Sequence, residues 1–216
     1  MRIMIEAVIF DMDGVIFDSE RITRMAWDIA AKEYGISDIK TAVRDCTGVA
    51  RPSQWVYLKN KYGQDFPAKE FRERCSEIFH KYTAENGLPL MPYARETLEY
   101  LKSKGYRLAI ASSSKTSTVI PELTEAKLLD YFEKVTCGDM VEHSKPHPEI
   151  YAFTADAIKV TKENCIAVED SPNGIRSAHA AGLKPVMVPD QIQPDEEIKK
   201  LLFKLCTSLN ELRDFL

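Results

Sequence analysis

Three apolar runs of this chain end abruptly in side chains that could do chemistry. The run AVIF ends at Asp11 and Asp13, LAIA ends at Ser112, and CIAV ends at Glu169 and Asp170. In parallel α/β sheets, ligands bind beyond the carboxyl ends of the strands. We therefore expect the three ends to meet in one crevice, although polar residues also begin ordinary loops.

The two carboxylate pairs need a counter-charge if they meet. Two ionised carboxylates about 4 Å apart repel by roughly 4 kcal/mol at an effective dielectric constant of about 20. A hard divalent cation bound by oxygen ligands removes this repulsion, and Mg²⁺ suits a site of a few carboxylates, a carbonyl and waters. The sequence therefore predicts Mg²⁺ as the cofactor and a phosphate ester as the ligand.

Lys145 lies in the segment HSKPHPEIY, on a predicted loop before a helix. A fixed ammonium group at that place could neutralise the charge on transferring phosphoryl oxygens. A lysine before proline is more often a solvated loop residue, so this role depends on the neighbouring carboxylates. His143 and His147 flank Lys145 and could suggest a metal pair, but we interpret them as loop residues.

Composition limits the partners that this chain can have. Its 216 residues carry a net charge of −4, and no basic stripe of the kind that binds polynucleotides is present. No run reaches the roughly 18 apolar residues that a membrane-spanning helix needs. Five widely spaced cysteines without a CxxC pair indicate reduced thiols. We predict a cytoplasmic protein with a small-molecule partner, no nucleic acid and no membrane; the oligomeric state stays open, and a monomer is compatible with the sequence.

The order of the predicted elements indicates an α/β fold with an insertion. Short β-branched runs alternate with amphipathic helices after residue 88, which predicts a mostly parallel sheet covered on both faces. Since EAVIFD is also such a strand, we expect a Rossmann-like, three-layer α/β core domain made of residues 1–16 and 89–216. The intervening residues 17–88 are polar and helix-rich, and they predict a helical cap domain. Residues 195–216 are predicted to form helices that pack on the sheet.

These segments resemble the four motifs of the haloacid dehalogenase-like superfamily, in order and spacing. The motifs are DMDGV, the strand that ends at Ser112, SKPHPEIY and VEDSPNGIRSAHAAG. The match spans nearly all of the α/β part of the chain. The helical insert directly after the first motif resembles the subgroup that contains β-phosphoglucomutase and many sugar-phosphate phosphatases.

The resemblance implies a role for each matching residue in the core. Asp11 would be the nucleophile that becomes an aspartyl phosphate, and Asp13 the general acid and base. Lys145 would bridge Asp11 and the phosphoryl group. The implied phosphate ligands are Ser112 and the backbone N–H groups of Ser113 and Ser114. The implied Mg²⁺ ligands are Asp11, the carbonyl of Asp13, Glu169 and Asp170.

The insert matches the mutase pattern only in part. Gly48 and Arg51, in TGVAR, fall where the mutase binds the distal phosphate of its substrate. Thr23 stands where the mutase has a histidine, and Ile78 where it has a cap lysine.

The main hypothesis is therefore a Mg²⁺-dependent phosphatase of a small phosphomonoester, a sugar or polyol phosphate. The first alternative is a β-phosphoglucomutase, which converts glucose 1-phosphate to glucose 6-phosphate. The second is a noncatalytic protein that binds phosphorylated metabolites. Trp27, Trp55 and Tyr57 could line the substrate crevice, but aromatic residues at helical spacing are more often core.

Overall fold

The computed structural model describes residues 4–46 and 51–216. It divides into two compact units, which we call the core unit and the inserted unit. The core unit comprises Met1–Asp18 and Leu88–Leu216, and the inserted unit comprises Ser19–Gly87. We propose that these units are the two domains of the chain. Gly48, a predicted substrate ligand, lies outside the described residues.

The core unit contains a six-stranded sheet in the order β3-β2-β1-β4-β5-β6, in which all paired strands are parallel. Its strands are β1 (Ala7–Phe10), β2 (Arg107–Ala111), β3 (Lys134–Thr136), β4 (Cys165–Glu169), β5 (Lys184–Met187) and β6 (Lys204–Leu205). Helices connect them: α5 (Ala94–Ser103), α6 (Thr116–Glu125), α7 (Glu149–Ala157), α8 (Pro172–Ala180) and α9 (Glu196–Leu201). The predicted α/β class with a parallel, Rossmann-like sheet is confirmed.

Both faces of the sheet are covered, as the alternation along the central strand β1 shows. Val8 and Phe10 belong to one core cluster, which includes Leu98 of α5. Ala7 and Ile9 belong to another, which includes Tyr151 of α7. Successive side chains of a strand point to opposite faces. This alternation explains why β1 is fully buried and reads as one apolar run.

The end of the chain differs from the sequence prediction. Residues 195–216 form α9 and a short 3-10 helix at Leu209–Asp214, but between them β6 adds a strand to the sheet. The N–H groups of Phe203 and Cys206 donate to Pro185 and Met187 of the β5 segment, at 2.7 and 2.8 Å. This pairing satisfies backbone hydrogen-bonding groups of β5. The sequence did not predict β6 because a two-residue strand is too short to show an alternation of apolar and polar residues.

The inserted unit consists of four helices, as far as the described residues show. They are α1 (Ser19–Glu33), α2 (Lys40–Cys46), α3 (Arg51–Tyr62) and α4 (Ala68–Asn86). Their shared core includes Trp27, Leu58 and Phe71. Trp27 meets Phe71 edge to face, with ring centroids 5.5 Å apart, so this tryptophan contributes to packing.

No described helix is long and apolar enough to cross a membrane. The five cysteines are free and buried. The cytoplasmic location stays a prediction.

Candidate active site

The three strand ends meet at the carboxyl edge of the sheet. β1 lies between β2 and β4, with Phe10 opposite Ile110 on one side and Val168 on the other. Asp11 follows Phe10 directly, and its N–H donates to the carbonyl of Val168 at 2.9 Å. Parallel pairing in this register brings the side chains after β1, β2 and β4 together.

A tight turn after β1 shapes the floor of the site. The N–H of Phe17 donates to the carbonyl of Met12 at 3.0 Å, and the N–H of Gly14 donates back to Phe17 at 2.9 Å. Gly14 has a φ of +78°, and a Cβ there would lie 2.5 Å from Oδ2 of Asp170. Glycine at this position therefore lets the first acidic segment approach the second.

Lys145 links the two acidic segments. Its Nζ donates to Oδ1 of Asp11 and to Oε1 of Glu169, both at 2.6 Å, and to the carbonyl of Ala111 at 2.8 Å. The Lys145 side chain is only 7% exposed. All three donor positions of the ammonium group are thus used, which fixes it at the junction of β1, β2 and β4.

Glu169 is fully buried and surrounded by donors. Besides Lys145, the hydroxyl of Tyr151 donates to Oε1 at 2.7 Å. The hydroxyl and N–H of Ser171 donate to Oε2 at 3.0 and 3.3 Å. A Cβ at Gly174 would lie within 2.0 Å of both Oε1 and Oε2, so α8 can approach Glu169 only without a side chain there. This arrangement favours a role in fixing Lys145, and metal binding by Glu169 stays a prediction.

The turn after β2 faces Asp13. Ser112 is fully buried, and its hydroxyl oxygen accepts a hydrogen bond from the N–H of Ser114 at 3.1 Å. The hydroxyl of Ser114 in turn donates to Oδ2 of Asp13 at 3.0 Å. Ser113, a predicted phosphate ligand, is exposed on the same turn. The turn thus holds the predicted acid and base in place from the neighbouring strand.

Burial and like charge dominate the electrostatics of the site. Burial raises the pKa of Asp11 to about 7 against the opposing effect of Lys145, and Glu169 and Asp13 add to the rise. Burial likewise raises the pKa of Asp170 well above its usual value, with further contributions from Glu169 and Asp11. Burial opposes the charge on Lys145, but the carboxylates of Asp11 and Glu169 outweigh it and raise the lysine pKa.

The donor set at this edge fits a hard divalent cation. Asp11, Glu169 and Asp170 each offer a carboxylate oxygen, and these atoms lie within 4.8 Å of one another. Among the described residues, Lys145 is the cation hydrogen-bonded to two of these groups, Asp11 and Glu169. Burial first, and then the neighbouring carboxylates, raise the pKa values of Asp11 and Asp170. Carboxylate oxygens in such an arrangement match the preference of Mg²⁺.

A second group of possible metal ligands lies on the loop that carries Lys145. His143, His147 and Glu149 offer ligand atoms within 4.8 Å of one another, but both histidines are exposed. The carboxylate of Glu149 accepts the N–H groups of Glu142 and His143 at 2.9 and 3.0 Å. Glu149 therefore has a structural role, since it holds this loop against the start of α7.

The structure brings six of the predicted site residues together in the core unit: Asp11, Asp13, Ser112, Lys145, Glu169 and Asp170. Arg51 belongs to the inserted unit, where it begins α3 and its Nη2 donates to the hydroxyl of Ser76 at 2.9 Å. Sequence reasoning gave no role to the side chains of Tyr151, Ser114 and Ser171. Ser114 and Ser171 could have been predicted as site residues, because they lie two positions after Ser112 and Glu169.

The fold and the site define an α/β protein with a carboxylate and lysine centre at the edge of a parallel sheet. Residues 8–188 match the family model described as haloacid dehalogenase-like hydrolase. The chain belongs to this family.

A curated relative and two solved structures are similar over most of the chain. The phosphorylated carbohydrates phosphatase of Thermotoga maritima is 33% identical over 84% of this chain and 83% of its own length. A haloacid dehalogenase family hydrolase from Deinococcus radiodurans, solved with bound phosphate and sodium, is 28% identical with a TM-score of 0.82, covering 97% of this chain and 94% of that one.

The β-phosphoglucomutase of Clostridium difficile is 27% identical with a TM-score of 0.73, covering 97% of this chain and 93% of that one. The predicted family is confirmed. The predicted enzyme class, a phosphatase, is also confirmed by curated relatives of that name that align over more than four fifths of the chain.

Proposed function

We propose that this chain hydrolyses a small phosphomonoester of the sugar or polyol class through an aspartyl-phosphate intermediate. The observation that carries the proposal is the contact between Lys145 and Asp11. The ammonium group binds Oδ1 at 2.6 Å, and Oδ2 accepts no hydrogen bond from any residue that the structure describes. One carboxylate oxygen is thus anchored while the other can attack phosphorus.

In the first step, Oδ2 of Asp11 attacks the phosphorus atom and the bond from phosphorus to the sugar oxygen breaks. Asp13 donates a proton to that leaving oxygen, so the product is a neutral alcohol. Ser114 bonds Oδ2 of Asp13 at 3.0 Å, which keeps this carboxyl group in one orientation. Lys145, already next to Asp11, balances charge on the phosphoryl oxygens.

In the second step, water replaces the sugar oxygen. Asp13, now a carboxylate, takes a proton from the water as its oxygen attacks phosphorus. The bond between phosphorus and Oδ2 of Asp11 breaks, which releases inorganic phosphate and restores the Asp11 carboxylate. Ser112 and the turn around Ser113 are the proposed contacts for the phosphoryl oxygens.

We propose that Asp11, the carbonyl of Asp13 and Asp170 hold Mg²⁺. The bound ion would supply positive charge that the carboxylates and the phosphoryl group share. Glu169 can also be a ligand of the ion, but its four hydrogen bonds favour a main role in fixing Lys145.

Two sequence differences support hydrolysis over phosphomutation. A mutase must grip a bisphosphate intermediate at both ends and prefer a sugar hydroxyl to water. Thr23 and Ile78 replace two residues of the mutase pattern, and neither side chain is a cation. The name of the Thermotoga relative, a phosphatase of phosphorylated carbohydrates, supports the same choice. The noncatalytic alternative has no support from the named relatives, which are enzymes.

The test uses the purified protein with Mg²⁺ and a panel of phosphorylated sugars and polyols. We expect phosphate release, and we expect Asp11→Asn to abolish it in a folded protein. Asp156→Asn, at an exposed carboxylate of α7, is the matched control. Near-normal release by Asp11→Asn would refute the covalent mechanism.

Phosphorus NMR separates the two transfer reactions. Glucose 1-phosphate is supplied with a catalytic amount of glucose 1,6-bisphosphate. Free phosphate supports the phosphatase, whereas conversion to glucose 6-phosphate would establish the mutase instead.

A further inference from the structure

The loop before α7 brings two histidines together. The N–H of His147 donates to the carbonyl of Ser144 at 3.0 Å, which closes a turn in this loop. His143 precedes the turn and His147 ends it, and the centroids of their rings are 4.5 Å apart. The two side chains are 59% and 50% exposed. Two imidazole groups are therefore neighbours at a place that ions from solvent can reach.

Glu149 adds a carboxylate to this pair. Its Oε2 lies 2.9 Å from Nδ1 of His143 and 3.7 Å from Nδ1 of His147. Hydrogen bonds lower the pKa of Glu149, first of all the one from the N–H of Glu142, so the group is ionised at neutral pH. Ligand atoms around a tetrahedral ion with bonds of about 2.1 Å lie roughly 3.4 Å apart. The two measured distances lie on either side of this value, so small side-chain rotations would complete the geometry.

The backbone of the loop is already held in place. The N–H groups of Glu142 and His143 donate to the carboxylate of Glu149 at 2.9 and 3.0 Å. The hydroxyl of Ser177, on α8, donates to the carbonyl of His147 at 2.6 Å. Both histidines are thus anchored through their main chains. A ligand set that is ordered before binding loses little conformational entropy when it binds.

The ring nitrogens are available to a metal ion. Nδ1 of His147 accepts the N–H of Glu149 at 3.3 Å, a long hydrogen bond, and a ring nitrogen that accepts a hydrogen bond carries no proton. Nδ1 of His143 shares a hydrogen bond with Oε2 of Glu149. A metal ion can take the place of that proton, since ligands release protons when they bind metal.

We propose that His143, His147 and Glu149 bind Zn²⁺, with water in the fourth position. Imidazole nitrogens suit Zn²⁺, whereas Mg²⁺ prefers oxygen ligands. The site shares no residue with the proposed Mg²⁺ site, and it does not depend on the proposed hydrolysis. Its histidines lie two positions before and two positions after Lys145. Bound Zn²⁺ would therefore stabilise the loop that carries this lysine.

The four histidines of the chain allow a matched test by substitution. They are His80, His143, His147 and His179. The test variant combines His143→Gln with His147→Gln. The control variant combines His80→Gln with His179→Gln, at two exposed residues outside the cluster. Circular dichroism verifies that both variants are folded.

Isothermal titration with Zn²⁺ in excess Mg²⁺ measures the affinity. Residues that only orient metal ligands contribute about 10–100-fold to affinity, and direct ligands contribute at least as much. We expect the test variant to raise the Zn²⁺ dissociation constant at least about 100-fold, and the control variant to leave it unchanged. Zn²⁺ should also raise the Tm of the control variant, but not that of the test variant, because binding stabilises the folded state. Equal affinities of the two variants would overturn the proposal.

Proton NMR of the control variant locates the ion directly, and it serves even if the test variant does not fold. This protein retains only His143 and His147, so both imidazole signals belong to the proposed site. We expect Zn²⁺ to shift both signals, and Mg²⁺ at the same concentration to leave them in place. Unshifted signals with Zn²⁺, or equal shifts with the two ions, would refute the site. Absence of phosphate release with the Zn²⁺ shifts intact would refute the proposed hydrolysis alone.

Discussion

The hydroxyl of Tyr151 donates a 2.7 Å hydrogen bond to Oε1 of Glu169, the same oxygen that accepts from Lys145. Tyr151 is fully buried, and its ring centre lies 4.9 Å from the lysine nitrogen. Burial, followed by the charges of Glu169 and Asp11, raises the pKa of this phenol well above its usual value, so it stays a donor. Tyr151 therefore helps to place Lys145 without contacting Asp11 through a hydrogen bond.

We predict that Tyr151→Phe lowers both stability and turnover. Losing one donor to a buried carboxylate should reduce the free energy of unfolding by about 1–3 kcal/mol. A less well fixed Lys145 should lower kcat by about 10-fold, since proton and charge placement depend on its position. Urea unfolding and steady-state kinetics measure these effects. Tyr131→Phe, at an exposed hydroxyl that contacts Glu99, is the control, and equal effects of both changes would contradict the prediction.

Lys145→Met should reduce both the stability and the activity of the protein, because the lysine balances the charge of two buried carboxylates. Removing one partner of a buried ion pair typically costs about 3–5 kcal/mol. We expect a large loss of stability in metal-free buffer and a fall of kcat by at least about 100-fold. Lys102→Met, at an exposed lysine whose ammonium group contacts the carbonyl of Asp130 and the ring of Tyr131, should leave both quantities nearly unchanged. A stable and active Lys145→Met protein would remove this lysine from the mechanism.

The strand ends could be predicted from the sequence because each apolar run stops at a polar residue. Asp11 and Glu169 follow this rule, and the parallel pairing of β1 with β4 then brings them together. The bond between Tyr151 and Glu169 could not be predicted in the same way. Tyr151 lies within an apolar helix segment, EIYAF, and only the packing of α7 on the sheet decides that its hydroxyl meets a carboxylate.

Arg51 and Arg72 of the inserted unit illustrate a second limit of sequence reasoning. Arg51 is part of a short motif and could be predicted, whereas Arg72 occurs in FRERC, a run typical of a charged helix surface. Arg74 in that run is paired with glutamates at the surface. Only the rotation of α4 about its axis places Arg72 against Trp27 and Arg74 in solvent. The strand β6 was missed for the same reason, since its pairing depends on a neighbouring strand.

Gly174 gives a steric prediction. A Cβ at this position would lie 1.9 Å from the carboxyl carbon of Glu169, which is fully buried and held by four hydrogen bonds. Gly174→Ala should therefore destabilise the protein by more than about 3 kcal/mol, in the upper range of single substitutions. Gly35→Ala is the control: its φ of +68° strains alanine, but no atom lies within 4 Å of the new methyl group. We expect Gly35→Ala to lower the free energy of unfolding by about 1–2 kcal/mol, from backbone conformation alone. A larger loss for Gly35→Ala than for Gly174→Ala would refute the close packing of Gly174 against Glu169.

Asp170→Asn should have opposite effects on stability and activity. Without metal, the Asp170 carboxylate is disfavoured by burial and by Glu169 and Asp11, so a neutral amide should raise the free energy of unfolding in EDTA by about 1–2 kcal/mol. With Mg²⁺, the wild type should be more stable than Asp170→Asn, because Mg²⁺ binding stabilises the folded state of the wild type. Thermal unfolding in EDTA and in Mg²⁺, together with phosphate release, measures this crossover. Asp156→Asn should show neither effect, and a Mg²⁺-dependent stabilisation of Asp170→Asn equal to that of the wild type would exclude Asp170 as a ligand.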